Sequence, residues 1–343
     1  MRALEVWLAG RLVGAIRETR RGARFVYSEE VYEESPGMPV LSLCLPAKRR
    51  PFGESRTRNW FEGLLPEGGR RDRACRRLGL DPLDWVGLLS EIGWECAGAV
   101  QVFPDGGPDV HASSYELIAR ADLVALLSDA SLGDPSEGSG SFRMSLGGFQ
   151  DKLCVCMPAL PQGTSRVPAD NVCLTLGDAA STHILKPEPP RYPGLAESEA
   201  WAMTAAAHSA RCAKVALLDL ERCPATLVVE RYDRKIDRHG DVTRLHQEDA
   251  CQALGLPVSA KYANEAAPKG DDPTYTAIAA LIDRYAIDVE GEKAELLRQL
   301  TVNMALGNWD AHAKNMSFLY REPGQPVVAP LYDVVPIAEA EPR

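Results

Sequence analysis

The chain has 343 residues, 45% of them hydrophobic, enough to bury a substantial core and to divide into two or three structural units. A formal net charge of −10 makes the whole molecule a poor electrostatic match for nucleic acid or an anionic membrane. The nine cysteines contain no CxxC pair and the six histidines no HExxH, which speaks for reduced thiols and against a zinc site.

No apolar run approaches the ~20 residues that cross a bilayer, and the N-terminus lacks a secretory apolar stretch, so a cytoplasmic location is expected. Lys48-Arg49-Arg50 and the arginines between positions 70 and 77 read as solvated basic faces that could also serve as contacts.

Residues 1–105 read as a small α+β unit. Runs at 4–8 and 12–16 around Ala9-Gly10-Arg11 predict a hairpin, with further strands at 24–27 and 40–45. One helix is predicted near 70–78. Another follows Asp81, with Pro82 at its first position and Leu83, Val86, Leu88 and Leu89 as its apolar stripe. A closing strand is predicted at 100–103. Residues 106–140 read as a connecting region with one helix around 115–130, then a flexible loop over 133–140.

From 141 to 343 the pattern becomes that of a core in two parts, a sheet-rich lobe over 141–235 and a helical lobe over 236–343. A strand at 141–146 leads through Gly147-Gly148 to a β run at 152–157. A short strand at 182–185 ends in Lys186-Pro187, a helix covers 196–209, and an apolar strand covers 225–230. Helices are predicted near 248–254, 274–285 and 293–306, with strands at 316–320 and 327–331. That order resembles a protein kinase.

The strongest local signal is Gly307-Asn308-Trp309-Asp310-Ala311-His312-Ala313-Lys314-Asn315, whose core is Asp-x-x-x-x-Asn. In protein kinases this spacing sets the Asp beside the acceptor hydroxyl and the Asn on a magnesium ion. Asp and Asn are also ordinary loop formers, so the spacing alone leaves a purely structural reading open. Tyr332-Asp333 after the 327–331 strand supplies a second carboxylate placed to complete the magnesium site with Asn315.

Upstream, Lys186 ends a strand and Glu199 lies on the next helix, the arrangement of a phosphate-binding lysine and its helical glutamate; Glu197 competes for the partner role. Gly147 and Gly148 could cradle phosphates with help from Lys152, or simply turn a hairpin. Glu230, Tyr232 and Asp233 fall where a kinase hinge would meet adenine, with Asp233 in reach of ribose. His312 is placed with them on the nucleotide side.

Taken in order, these blocks resemble the HipA family of bacterial toxin–antitoxin kinases. The matching segments are 59–68 (Asn-Trp-Phe-Glu-Gly-Leu-Leu-Pro-Glu-Gly), 145–152, 182–187, 229–234, 245–249, 307–315 and 330–333, and the resemblance they carry extends over nearly the whole chain. The resemblance implies an α+β, two-lobed protein-kinase-like fold carrying a small N-terminal subdomain, and a serine/threonine kinase dependent on ATP and Mg2+. It implies Asp310 as catalytic base, Asn315 and Asp333 on the metal, Lys186 on phosphates, and Ser145 as an autophosphorylation site that switches the kinase off.

It further implies a HipB-like helix-turn-helix antitoxin as partner, DNA reached only through that antitoxin, and a protein substrate such as a glutamyl-type aminoacyl-tRNA synthetase. The family usually continues well past the Tyr-Asp pair, so a shortened helical lobe is expected here. Two other readings stand beside this one. The Asp-x-His-x-x-Asn loop also resembles lipid kinases, which the acidic charge disfavours. A shortened kinase that binds antitoxin or nucleotide without turnover is the other.

Overall fold

The computed structural model describes residues 1–107, 113–132, 152–262, 272–308 and 310–336. The expected loop at 133–140, the strand at 141–146 and the residues Ser145, Gly147 and Gly148 lie outside the described residues.

The N-terminal unit is built on β1 (Ala3–Leu8), β2 (Arg11–Thr19) and β3 (Gly22–Tyr27), followed by helices α1 (Glu29–Glu34), α2 (Glu54–Glu62), α3 (Gly68–Leu78) and α4 (Trp85–Ile92) and by β4 (Val100–Pro104). The strands form one antiparallel sheet in the order β3-β2-β1-β4. Ala9 and Gly10 both take positive φ at the first hairpin, which glycine does without a steric penalty. Leu4, Val6, Ile16 and Phe25 from the sheet meet Trp60, Phe61, Leu88 and Leu89 from the helices in a closed core.

Two expectations are corrected in this unit. Residues 40–45 form no strand, because side chains claim their amides. Leu41 N donates to the Tyr27 hydroxyl (3.1 Å), Leu43 N to Glu248 Oε1 (2.9 Å) and Cys44 N to Ser42 Oγ (3.2 Å). The helix after Asp81 starts at Trp85 rather than Pro82. Asp84 caps it by accepting from Gly87 N at 2.9 Å, and Leu83 is left 75% exposed instead of joining the stripe.

The helix expected around 115–130 is also shorter at its start. Ser114–Leu117 forms β5, paired antiparallel with residues 173–176, and α5 then runs over Arg120–Leu132. The strands β6 (Leu153–Val155), β7 (Arg166–Pro168), β8 (Cys173–Leu176) and β9 (His183–Pro187) follow. After α6 (Leu195–Ala206) come β10 (Val215–Asp219) and β11 (Thr226–Glu230). Five of these strands form a sheet in the order β6-β9-β11-β10-β7, with Leu185, Val155, Val167 and Val228 in the core on one face.

A hairpin of β12 (Arg234–Ile236) and β13 (Val242–Arg244) leads to the second lobe: β14 (Gln247–Asp249), α7 (Ala250–Leu254), α8 (Tyr275–Tyr285), α9 (Val289–Ala305), β15 (Ser317–Glu322) and β16 (Gln325–Val328). This lobe is less purely helical than its sequence suggests, since β14, β15 and β16 form an antiparallel sheet. The helix expected from 248 begins at Ala250, after a capping box between Asp249 and Gln252. The strand expected at 327–331 is β16, which ends at Val328. No described helix is long and apolar enough to cross a membrane.

Two buried carboxylates join the N-terminal unit to the rest. Glu248 accepts from Ser42 Oγ (2.5 Å), Leu43 N (2.9 Å), Trp60 Nε1 (2.8 Å) and the Tyr320 hydroxyl (2.5 Å). Glu95 accepts from Ser181 Oγ (2.7 Å), Arg231 (2.6 Å), Arg234 (3.1 Å) and Arg244 (3.1 Å). A buried charge is tolerated only when its lone pairs are satisfied, and both of these are.

Candidate active site

A cleft of about 1010 Å³ lies between the lobes, with α3 of the N-terminal unit on its rim. Strand alternation sets the first functional group. Leu185 packs into the sheet core while Ile184 and Lys186, its neighbours on either side, line the cleft. Helical periodicity sets the second. Ala196, Glu199, Ala202, Met203 and Ala206 form the buried stripe of α6, which points Glu199 at the sheet. Lys186 Nζ therefore donates to Glu199 Oε1 at 2.5 Å. Glu197 lies off that stripe and faces Arg166, at 3.8 Å.

The same ammonium donates to Asp333 Oδ1, and Lys152 Nζ lies 3.9 Å from the other oxygen of that carboxylate. Burial opposes the charge on all of these groups. Against it, Lys152 and Lys186 hold the Asp333 carboxyl well below the usual range, and Asp333 and Glu199 hold the Lys186 ammonium above its ordinary value. For Lys152 burial dominates and pushes the ammonium down. Asp333 itself sits at φ +54, the left-handed region that Asp tolerates better than most residues. Its carbonyl accepts from Asn308 Nδ2 at 3.3 Å, and Asn308 is steadied by Asn303 at 2.8 Å.

Across the cleft, the Asp310–Asn315 loop closes on itself. The Asp310 carbonyl accepts from His312 N (2.8 Å) and from Asn315 Nδ2 (2.9 Å), which leaves the amide oxygen of Asn315 as its free end. One carboxylate oxygen of Asp310 accepts from the Tyr262 hydroxyl at 2.6 Å. The His312 ring stands edge-on to Tyr262, with centroids 5.1 Å apart. Burial lowers its pKa, and Nδ1 has no hydrogen-bond partner among the described residues.

The hinge-side residues divide. Tyr232 lines the cleft, donates its hydroxyl to Gln247, and tilts against Tyr332 at 5.8 Å. Glu230 touches the cleft, but its carboxylate turns away to accept from Leu160 N (2.6 Å) and pair with Lys214 (3.0 Å). Asp233 also lines the cleft, and it is held there by several donors. Its oxygens are engaged by Arg231 (2.8 and 3.0 Å), Gly98 N (2.7 Å) and Gln247 Nε2 (3.2 Å), so it anchors the seam.

Three residues of the site were missed in the sequence, and a fourth, Arg70, was read only as part of a basic face. Asn308 and Lys314 lie inside the quoted 307–315 block but carry no spacing signal of their own. Lys314 donates to Gly63 O (3.0 Å) and Asp249 (2.8 Å), tying the loop to α7 and the N-terminal unit. Tyr262 and the buried Arg70 come from remote segments that only the fold brings to the cleft.

Comparison with known proteins decides the family. A family model described as the HipA N-terminal domain matches residues 4–103, and one described as the HipA-like C-terminal domain matches residues 144–342. The chain belongs to the HipA family. It is 37% identical over 342 residues to Y4mE of Sinorhizobium fredii, named as a candidate kinase, a match covering 98% of this chain and 77% of that one. Identity is 29% over 282 residues to the serine/threonine-protein kinase toxin HipA of Shewanella oneidensis, covering 80% of this chain and 61% of that one.

The HipA fold is also shared in three dimensions. A Shewanella oneidensis HipA solved with HipB and operator DNA superposes with a TM-score of 0.78 at 25% identity, covering 97% of this chain and 76% of that one. The two-lobed α+β kinase-like fold is thereby established, with the HipA N-terminal subdomain attached.

Proposed function

We propose that this HipA-family chain transfers the γ-phosphoryl group of ATP to a serine or threonine hydroxyl of a protein. The observation that carries the reading is the single buried ammonium of Lys186 shared by Glu199 and Asp333. It joins the phosphate-binding and metal-binding halves of a kinase site, and two of its three N–H donors account for the carboxylates, leaving one for a phosphate oxygen. Lys152 lies close enough to bind the same phosphates.

A magnesium ion suits the donor set. Asp333 offers carboxylate oxygen and Asn315 its free amide oxygen, the hard ligands that Mg2+ prefers alongside phosphate and water. When bound, it would neutralise charge on the transferring group. Asp310 orients the acceptor hydroxyl and takes its proton as the acceptor oxygen bonds to the γ-phosphorus and the bond to the β–γ bridging oxygen breaks. The backbone of residues 230–232 is the natural seat for adenine, and Gly147 and Gly148 for the phosphates.

In the Shewanella oneidensis relative this activity is that of a toxin. The solved HipA relative is held with HipB and operator DNA, which favours a HipB-like antitoxin as partner here, with DNA contacted through it. Arrest of translation through phosphorylation of a protein such as a glutamyl-type aminoacyl-tRNA synthetase is the substrate-level form of the proposal, with Ser145 as the autophosphorylation site. Purified protein incubated with γ-labelled ATP and Mg2+ tests it. Label on Ser145 that vanishes in Asp310→Ala supports the kinase; ATP binding without any label supports a nucleotide-binding protein without turnover instead.

A further inference from the structure

The carboxylate assigned to the acceptor hydroxyl already holds a hydroxyl. Tyr262 donates to Asp310 Oδ1 at 2.6 Å, the length of a charge-assisted O–H···O⁻ bond and the separation an acceptor serine or threonine would adopt. Tyr262 is 53% exposed, so nothing of the core rests on its ring, although it is not loosely placed. Its neighbour Lys261 accepts from Ala313 N through its carbonyl (3.0 Å) and pairs through its ammonium with Glu67, the residue preceding α3 (3.1 Å). On the other side the ring stands against His312. Burial and Asp310 push the phenol up to about 12, so the oxygen keeps its proton at neutral pH and is a donor.

Resting on the kinase reading above, we propose that Tyr262 occupies the acceptor position as a resident hydroxyl, reserving Asp310 until a substrate hydroxyl displaces it. The acceptor subsite is then the space between Tyr262, His312 and Asp310, and it takes an aliphatic hydroxyl on an extended segment slender enough to enter once the ring swings outward. Tyr262 acts through Asp310 and is a positioning residue. Its effect is to suppress transfer to water, which binds too weakly to displace the phenol.

The test uses the full chain with ATP, Mg2+ and water as the acceptor, read as release of inorganic phosphate. Tyr262→Phe keeps the ring and removes only the hydroxyl. Loss of one charge-assisted hydrogen bond from the base should raise kcat for hydrolysis about tenfold and leave KM for ATP unchanged. A second reading needs no turnover. In protein carrying 13C-labelled tyrosine, the ring resonance missing from Tyr262→Phe should titrate above the ordinary tyrosine range, and lower in Asp310→Asn than in the wild type. Wild-type turnover with an unchanged or slower Tyr262→Phe overturns the proposal, as does a Tyr262 resonance indifferent to Asp310→Asn. No phosphate release from either protein overturns this proposal, while labelled transfer to Ser145 tests the kinase reading separately.

Discussion

Lys186 and Asp333, 147 residues apart in sequence, form an ion pair at the floor of the cleft, and Glu199 closes on the same ammonium at 2.5 Å. Lys186 and Glu199 are buried and Asp333 is part-exposed, charges that are costly singly and tolerable together. The site is therefore part of what holds the lobes in register, as well as a place for chemistry.

Removing the shared cation should expose that dependence. Lys186→Met leaves Glu199 buried and uncompensated, and urea denaturation should show a loss of about 3–5 kcal/mol. Adding Glu199→Gln should recover at least about 1 kcal/mol relative to the sum of the single changes, because the two side chains touch. ATP binding should be lost in both proteins, as followed by calorimetric titration.

The two aspartates should separate chemistry from folding. Asp310 is part-exposed, so Asp310→Asn should fold normally while phosphoryl transfer drops by about 10²–10⁴-fold. Asp333 holds φ +54, which Asn accepts and Ala resists. Asp333→Asn should abolish transfer with modest destabilisation, whereas Asp333→Ala should lose a further ~1–2 kcal/mol in thermal or chemical unfolding.

Glu248 should prove a structural residue despite its place beside the cleft. Glu248→Ala strands the Trp60 indole N–H, the Leu43 amide and two hydroxyls, so a loss of about 3–5 kcal/mol is expected. Glu248→Gln, which keeps one acceptor oxygen, should lose less. Parallel denaturation curves rank the two.

How far these relations could be read in the sequence depended on their range. Lys186, Glu199 and the Asp310–Asn315 loop were legible because a strand of period 2, a helix of period 3.6 and a fixed loop spacing each specify a direction locally. The choice of Glu199 over Glu197 needed the apolar stripe of α6 to be known. The partners of Asp233 were not legible, since its carboxylate answers to arginines of its own segment and to Gly98 of the N-terminal unit. Residues 40–45 look like a strand in composition, but a distant glutamate takes an amide that a ladder would have used. Tyr262 carries no sequence signal at all, since its partner lies 48 residues away.

Acid should weaken the fold before it titrates the carboxylates. Burial holds His183 and His246 down to about 4, well under the ordinary 6.5, and each keeps one buried ring nitrogen with no hydrogen-bond partner among the described residues. The unfolded chain then binds more protons than the native one between those values, so stability is complete above pH 6.5 and is lost as pH falls toward 4. About 3 kcal/mol per histidine is at stake by the acid end of that window. Denaturation at pH 7.5, 6 and 5 should show the decline, and His246→Gln should reduce its slope.

The most direct trial of the whole account is a crystal structure with Mg2+ and a non-hydrolysable ATP analogue. The expected density is a metal ion bound by Asp333 and the amide oxygen of Asn315, with a phosphate oxygen on Lys186. A nucleotide bound elsewhere, or a metal that ignores both side chains while the cleft stays closed on its own ion pairs, would contradict it.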